Sequence, residues 1–163
     1  MLLAILSDTH NHSAHLLHAL EICRAEGAGA LLHCGDVTSP ATAGLLAGFK
    51  IWLTFGNGDV DEEALRATLG QLDADNWTGM VWSGEIGGVP IAATHGHLDG
   101  KVAELVASGR YRYVFHGHSH RRQDELHGAT RLVNPGALGG LRGTDRSFCL
   151  LDLSSQALKF IPV

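Results

Sequence analysis

Five short apolar runs along the chain are each followed by residues of the types that bind metal ions in proteins. The runs are Leu2 to Leu6, Ala30 to Leu32, Ile51 to Phe55, Val89 to Thr94 and Tyr113 to Phe115. The groups that follow them, in the same order, are Asp8-Thr9-His10, Gly35-Asp36, Gly56-Asn57, His95-Gly96 and Gly117-His118-Ser119-His120. Apolar runs of this length, bounded by glycine and polar residues, predict buried β-strands. Because neighbouring strand ends meet at one edge of a sheet, we expect the five groups to converge there.

The first half of the chain alternates strands with amphipathic segments. Helices are predicted at Ser13 to Ala25, Ala41 to Ala47 and Asp61 to Leu69. Ser13 is the expected N-cap of the first helix, and Gly27 is the residue expected to end it. Strands that alternate with helices predict βαβ units on a parallel sheet.

The second half of the chain changes character at Gly87-Gly88, a pair typical of hairpin turns. The predicted elements here are strands Met80 to Ile86 and Val89 to Thr94, a helix at Lys101 to Ala107, strand Tyr113 to Phe115, and a closing hairpin of Phe148 to Leu153 with Leu158 to Ile161. We therefore expect antiparallel pairing to replace parallel pairing. Since no internal repeat or linker interrupts the sequence, residues 1–163 are predicted to form a single domain.

Composition excludes several classes of protein. The apolar start at Met1 to Leu6 is too short for a secretory or membrane-spanning segment, and we expect no membrane association. Three scattered cysteines, Cys23, Cys34 and Cys149, do not form a disulfide framework, which indicates a reducing compartment and hence a cytoplasmic protein. A net charge of -5 argues against extended nucleic-acid binding, although it allows a small phosphate substrate.

The ligand types favour transition-metal ions, because Mg²⁺ and Ca²⁺ prefer shells made only of oxygen. Asp8 and His10 are spaced so that both can reach one ion as the chain leaves a strand, and His118 and His120 share that spacing. The Asp36 carboxylate has two oxygens and can bridge two ions about 3.5 to 4 Å apart. A neutral amide such as Asn57 would complete a coordination shell without adding charge.

Each of these motifs is weak evidence when taken alone. The histidines predicted to be solvent-facing, capping or core-packed are His12, His15, His18, His33, His116 and His127. His97 is the exception, since two residues after His95 it can donate to a phosphate oxygen or orient a ligand. Cys34 is expected to be a small buried residue. We expect Arg121-Arg122 to be a solvated turn rather than a phosphate clamp.

Taken together, six motifs in this order resemble the calcineurin-like metallophosphoesterase superfamily, in particular its small bacterial and archaeal phosphodiesterase branch. They are Asp8-x-His10, Gly35-Asp36, Gly56-Asn57, Thr94-His95-Gly96-His97, Gly117-His118-Ser119-His120 and Asn134-Pro135-Gly136, and they span nearly the whole chain. The resemblance implies an α/β fold, a four-layer α/β/β/α sandwich of two mixed β-sheets flanked by helices. It also implies two divalent transition-metal ions, with Mn²⁺ expected first and Ni²⁺, Co²⁺, Fe²⁺ or Zn²⁺ as alternatives.

The resemblance further implies a role for each matching residue. One ion would be held by Asp8, His10, Asp36 and His120, and the other by Asp36, Asn57, His95 and His118. A hydroxide held between the ions would hydrolyse a small phosphodiester, with Asp36 and His97 as the catalytic candidates. The Asn134-Pro135-Gly136 turn would support the site from below.

One position departs from the wider superfamily. Many members continue Gly-Asn with a histidine that assists the leaving group, whereas this chain has Gly58 there. Members of the small phosphodiesterase branch often lack that histidine too, so the general acid stays open. Asp59 is expected to brace the loop rather than to donate protons, and His97 or His12 can substitute as the acid only where geometry allows.

Two other functions are weighed against the phosphodiesterase. A protein-binding scaffold of the same fold exists in the retromer subunit that resembles this family, but its metal site is degraded. All seven ligand positions are intact in this chain, which favours an enzyme. A phosphomonoesterase or nucleotidase is the other alternative. The sequence leaves the physiological substrate, the native metal and the oligomeric state open, a homo-oligomer included.

Overall fold

Two packed β-sheets with helices on their outer faces form the fold of this chain. The computed structural model describes residues 1–140 and 146–163. Its elements, in chain order, are β1 (Leu2–Leu6), α1 (Ser13–Ala25), β2 (Ala30–His33), α2 (Pro40–Gly44), β3 (Lys50–Thr54), α3 (Glu62–Leu72), β4 (Trp77–Gly79), β5 (Val81–Ile86), β6 (Val89–Thr94), α4 (Lys101–Ala107), β7 (Tyr113–Phe115), β8 (Arg122–His127), β9 (Thr130–Pro135), β10 (Ser147–Asp152) and β11 (Ala157–Pro162).

Both sheets are mixed, and their parallel centres bring strand ends to a common edge. The first sheet has the order β11-β10-β1-β2-β3-β4, in which β1 to β4 are parallel and β10 and β11 are antiparallel to their neighbours. The second has the order β5-β6-β7-β9-β8, in which β6, β7 and β9 are parallel. The expectation of antiparallel pairing in the second half is therefore wrong for its central strands. The crossover through α4 returns the chain in the direction of β6, and the β8–β9 hairpin brings β9 beside β7 in that same direction.

Three layers of buried side chains hold the four layers of structure together. Ala4 and Leu6 of β1 pack with residues from α1, α2 and α3 on one face of the first sheet. Leu3 and Ile5 of the same strand pack between the two sheets, against residues of β6, β7 and β9. A third, smaller layer lies beneath α4 on the outer face of the second sheet. β1 is thus buried on both faces, which explains its unbroken apolar sequence. The predicted α/β/β/α sandwich is confirmed.

Most predicted elements agree with the structure, and the differences have local causes. Ser13 is the first helical residue and His12 is the N-cap, without a side-chain cap bond, so the predicted cap is wrong. The turn after β1 accounts for this, since the Ser13 amide donates to the Asn11 carbonyl. The helix ends at Ala25, and Gly27, the expected stop, lies two residues beyond it with a φ of 82°. The second helix stops at Gly44, earlier than predicted.

Three strands were not predicted, namely β4, β8 and β9. β8 is an edge strand in which all residues except Gln123 are exposed, so its sequence lacks the alternation that marks a half-buried strand. Asn134 and Pro135, expected in a turn, are the last residues of β9, with Gly136 just beyond. Within residues 1–140 and 146–163, the structure shows no helix with the length and hydrophobicity needed to cross a bilayer.

Candidate metal centre

The candidate metal centre lies where β1, β2, β3, β6 and β7 end. One carboxylate oxygen of Asp8 occupies its middle, surrounded by imidazole nitrogens from its own loop and from the segments after β6 and β7. Asp8 Oδ1 lies 3.2 Å from Nε2 of His120, 3.7 Å from Nε2 of His10 and 3.9 Å from Nε2 of His95. Residues separated by more than 100 positions in the chain are thereby brought within reach of one ion.

Asp36 contributes a second carboxylate to the same centre. Its Oδ2 lies 3.6 Å from Nε2 of His10 and 3.4 Å from Nε2 of His95. Its Oδ1 accepts a hydrogen bond of 2.7 Å from the Gly58 backbone amide. One oxygen of Asp36 therefore faces two histidines at once, while the other is fixed by the backbone of the neighbouring loop.

The four histidines nearest the carboxylates form two pairs. Nε2 of His10 lies 3.2 Å from Nε2 of His120, and Nδ1 of His118 lies 3.3 Å from Nε2 of His95. His10 and His120 belong to one of the ligand sets that the family resemblance implied, and His95 and His118 belong to the other. Ring nitrogens this close can turn their lone pairs toward a shared cation.

The burial of one Asp8 oxygen indicates that this set of side chains fits divalent metal ions. Asp8 Oδ1 is buried, and although His120 Nε2 lies 3.2 Å away, no donor among the residues that the structure describes makes a well-aligned hydrogen bond to it. A buried anionic oxygen without such a partner is costly, and a bound cation removes that cost. Two groups of side chains, Asp8-His10-His120 and Asp8-Asp36-His95, have ligand atoms within 4.8 Å of one another.

Asn57 and His97 lie at the border of this centre. Asn57 is exposed on the loop after β3. His97 is half-buried, with its ring centroid 5.4 Å from that of His95 and 6.4 Å from that of His118. Burial and the neighbouring His95 lower the pKa of His97. Its Nδ1 is buried and has no hydrogen-bond partner in the described part of the chain.

The protonation states of the two carboxylates favour cation binding. Burial by itself would raise the pKa of Asp8, but the adjacent His10 and His120 rings hold it well below its usual range. Burial also opposes ionisation of Asp36, and there the His95 ring lowers the pKa. Both carboxylates are therefore anionic near neutral pH. For His95, burial lowers the pKa, yet the two carboxylates outweigh it and the net shift is upward.

Five of the seven predicted ligands have a backbone conformation that L-residues rarely adopt. Their φ angles are 53° for Asp8, 45° for His10, 58° for Asp36, 67° for His118 and 57° for His120. Such conformations cost on the order of 1 kcal/mol or more for each residue that is not glycine. They persist where the surrounding fold enforces them, and they cluster at functional sites. Residue type alone gives no sign of them.

Asp59 shows how the fold enforces one of these conformations. Its Oδ2 accepts hydrogen bonds of 2.8 Å from the amides of Asp36 and Gly56, and its Oδ1 accepts one of 2.7 Å from Thr38. Asp59 is only 3% exposed, and its burial raises the pKa of the carboxyl group. One carboxylate thus ties the loops after β2 and β3 together. Asp59 braces the loop, as predicted.

Other supporting residues hold the ligand loops from below. Ser7, which was not predicted, donates a 2.6 Å hydrogen bond to Asp8 Oδ2, and the His118 backbone amide donates to the same oxygen at 3.0 Å. The Asn134 amide donates to the Gly117 carbonyl at 2.8 Å. Asn134 therefore supports the loop that carries His118. Ser7 could have been recognised in sequence as a hydroxyl directly beside a candidate ligand.

The remaining histidines lie outside the cluster. His12, His18 and His127 are exposed, His33 and His116 are buried, and the His15 ring bonds the Leu138 carbonyl. Cys34 is buried, as expected. Arg121 and Arg122 are exposed, and Arg122 bonds the Ser147 hydroxyl on β10.

Replacing Asp59 with asparagine is expected to destabilise the protein by about 2 kcal/mol, because a hydrogen bond to a charged group is lost and an NH₂ group faces backbone donors. We also expect weaker Mn²⁺ binding, since the amides of Asp36 and Gly56 lose part of their anchor. Urea unfolding and calorimetric Mn²⁺ titration measure the two effects.

Asp61→Asn is the matched control. Asp61 also accepts a backbone amide hydrogen, from Ala64, but on the exposed surface as the N-cap of α3. Asparagine caps helices as well as aspartate does, so this variant should match the wild type in both measurements. Equal Mn²⁺ affinity in Asp59→Asn and Asp61→Asn would contradict the bracing role.

Comparisons with known proteins all find phosphoesterases. Residues 1–156 match the model of the calcineurin-like phosphoesterase superfamily domain. The chain is 31% identical to a phosphodiesterase of Methanocaldococcus jannaschii over 142 residues, 86% of each protein. A solved archaeal phosphodiesterase superposes with a TM-score of 0.94 at 29% identity, covering all of both chains. The E. coli phosphoesterase YfcE, at 20% identity and full coverage of both chains, has a TM-score of 0.71 and shares the fold.

Proposed function

We propose, since the chain belongs to the calcineurin-like phosphoesterase superfamily, that it is a metal-dependent phosphodiesterase acting on small phosphodiesters. The observation that carries this proposal is the Asp36 carboxylate, because its Oδ2 lies within 3.6 Å of His10 and 3.4 Å of His95. That arrangement supports a carboxylate shared by two ions. Intact ligands favour an enzyme over a protein-binding scaffold.

We assign the ions to two overlapping ligand sets. The first is Asp8, His10, Asp36 and His120, and the second is Asp36, Asn57, His95 and His118. The mixture of carboxylate, imidazole and amide ligands supports a transition metal, with Mn²⁺ first and Ni²⁺, Co²⁺, Fe²⁺ or Zn²⁺ as alternatives. Asn57 and His118, both in the second set, are the two candidate ligands that are exposed.

Bound divalent ions supply positive charge for the phosphoryl oxygens and lower the pKa of coordinated water. The chain contributes the rest of the chemistry. The hydrogen bond from the Gly58 amide fixes the orientation of the Asp36 carboxylate. The carboxylate therefore does not have to reorganise during the reaction. His97, half-buried beside His95, is the side chain that we assign to a phosphoryl oxygen of the substrate.

The cysteines and the net charge support a cellular location and a class of substrate. Three free, buried cysteines fit the reducing cytoplasm. The net negative charge fits a small diester better than a long nucleic acid. We leave association into a homo-oligomer as an open alternative.

Metal-free protein prepared with a chelator should hydrolyse no bis(p-nitrophenyl) phosphate, and added Mn²⁺ should restore the reaction. Elemental analysis of the restored protein should give two ions per chain. Folded protein that binds fewer than two ions with each candidate metal would exclude the shared-carboxylate site. Two bound ions without hydrolysis of any phosphoester would favour the scaffold, and faster hydrolysis of monoesters than of diesters would favour a phosphomonoesterase.

A further inference from the structure

His33 lies outside the cluster of candidate ligands, yet its ring links the two loops that carry the carboxylates. The residue is fully buried at the end of β2. Its Nδ1 accepts a hydrogen bond from the Gly35 backbone amide at 3.2 Å. Its Nε2 lies 2.8 Å from the Thr9 hydroxyl. Both ring nitrogens are therefore occupied by loops rather than by solvent.

The protonation of this ring follows from its partners. The Gly35 amide always carries a hydrogen, so Nδ1 has to be the acceptor. A neutral imidazole carries one N–H group, which must then be on Nε2 and donate to Thr9 Oγ1. Burial lowers the pKa of His33 to about 4, so the ring is neutral near pH 7. A single tautomer satisfies both contacts.

The two partners of His33 are adjacent to the candidate ligands. Thr9 lies between Asp8 and His10, and Gly35 directly precedes Asp36. The same two loops are joined by backbone bonds of 2.9 Å, from the Asp8 amide to the Gly35 carbonyl and from the His10 amide to the Asp36 carbonyl. The His33 imidazole adds a side-chain link between these two loops, from Thr9 to Gly35, which we call the strut.

We infer that His33 is a positioning residue, whose Nε2-protonated ring fixes the Asp8-His10 loop relative to Asp36 and thereby sets the geometry of the metal centre. The inference rests on the proposed function, since it concerns the same ions. Among the residues that the structure describes, the hydrogen bonds of the His33 ring go to Thr9 and Gly35 and not to the side chain of a candidate ligand. His33 acts through Thr9 and Gly35.

Thr9→Val tests this inference without changing the ring. Valine keeps the shape of threonine but cannot accept the hydrogen of Nε2, so the strut is broken at one end. Thr54→Val is the matched control, because Thr54 is equally buried and its hydroxyl donates to the backbone carbonyl of His33 instead of to the ring. Each metal-free variant is titrated with Mn²⁺ by calorimetry and unfolded in urea.

We expect Thr9→Val to bind Mn²⁺ about tenfold more weakly than the wild type. Removing a residue that supports metal ligands typically lowers metal affinity by at least that factor. Thr54→Val should keep the wild-type affinity even where its urea midpoint falls as far as that of Thr9→Val. Wild-type affinity in Thr9→Val, or equal losses of affinity in both variants, would overturn the inference. Failure of the wild type to bind Mn²⁺ would instead count against the proposed function.

A second measurement addresses the ring directly. Nitrogen-15 spectra of the histidine side chains distinguish the two neutral tautomers from each other and from the imidazolium form. We expect the His33 signals of folded, metal-free protein near neutral pH to show a proton on Nε2 only. A proton on Nδ1 would be incompatible with the Gly35 contact and would overturn the proposed strut.

Discussion

Replacing Asp36 with asparagine is expected to lower turnover by about a thousandfold, because a shared metal ligand contributes several kcal/mol of charge stabilisation and each 1.36 kcal/mol is a factor of ten. Asparagine has nearly the same shape, and its carbonyl oxygen can still accept the hydrogen bond from Gly58. What it lacks is the second anionic oxygen, which faces His10 and His95. Metal occupancy should fall along with the rate.

Asn57→Ala is the control for this variant. Asn57 is assigned to one ion only and lies exposed at the rim, so its loss should cost less in both rate and metal content. Steady-state rates at saturating Mn²⁺ and elemental analysis compare the two variants, and thermal unfolding checks that both are folded. Wild-type activity in Asp36→Asn would show that the carboxylate is not shared.

Hydrolysis rates across a series of phosphodiesters should fall steeply as the pKa of the leaving alcohol rises. Proton donation to a departing alkoxide is typically worth about 10²- to 10⁴-fold, and aryl leaving groups need little of it. Gly58 offers no side chain where many relatives carry a histidine. Asp59 cannot serve in its place, since both of its oxygens accept backbone hydrogen bonds in the interior.

The measurement is kcat/KM for diesters that span several units of leaving-group pKa, at fixed Mn²⁺ and pH. His97→Asn is the informative companion, because the His97 ring lies 5.4 Å from that of His95 and is half-buried at the edge of the cluster. A flat series for the wild type that becomes steep in His97→Asn would identify His97 as the general acid. Gly58→His is a poorer test, since even a Cβ there would lie 3.0 Å from Asp36 Oδ1 and would press on the carboxylate.

The sequence predicts those features that depend on residues close together in the chain, and it misses those that depend on contacts between distant segments. The bounds of β1, β6, β7 and α4 are predictable, because apolar runs and their polar ends lie in one stretch of chain. The convergence of six ligands follows from strand order. β8 is missed because an exposed edge strand needs few apolar residues. The role of His33 is not visible in sequence, since it depends on partners from a second strand-end loop.

The left-handed backbone of the ligands sets stability and activity against each other. Asp8, His10, Asp36, His118 and His120 each adopt a positive φ that glycine would adopt without cost. Exchanging one of them for glycine relieves local strain while it removes a ligand. Loss of the reaction through such an exchange would therefore not require loss of the fold, and the inactive variant could be the more stable of the two.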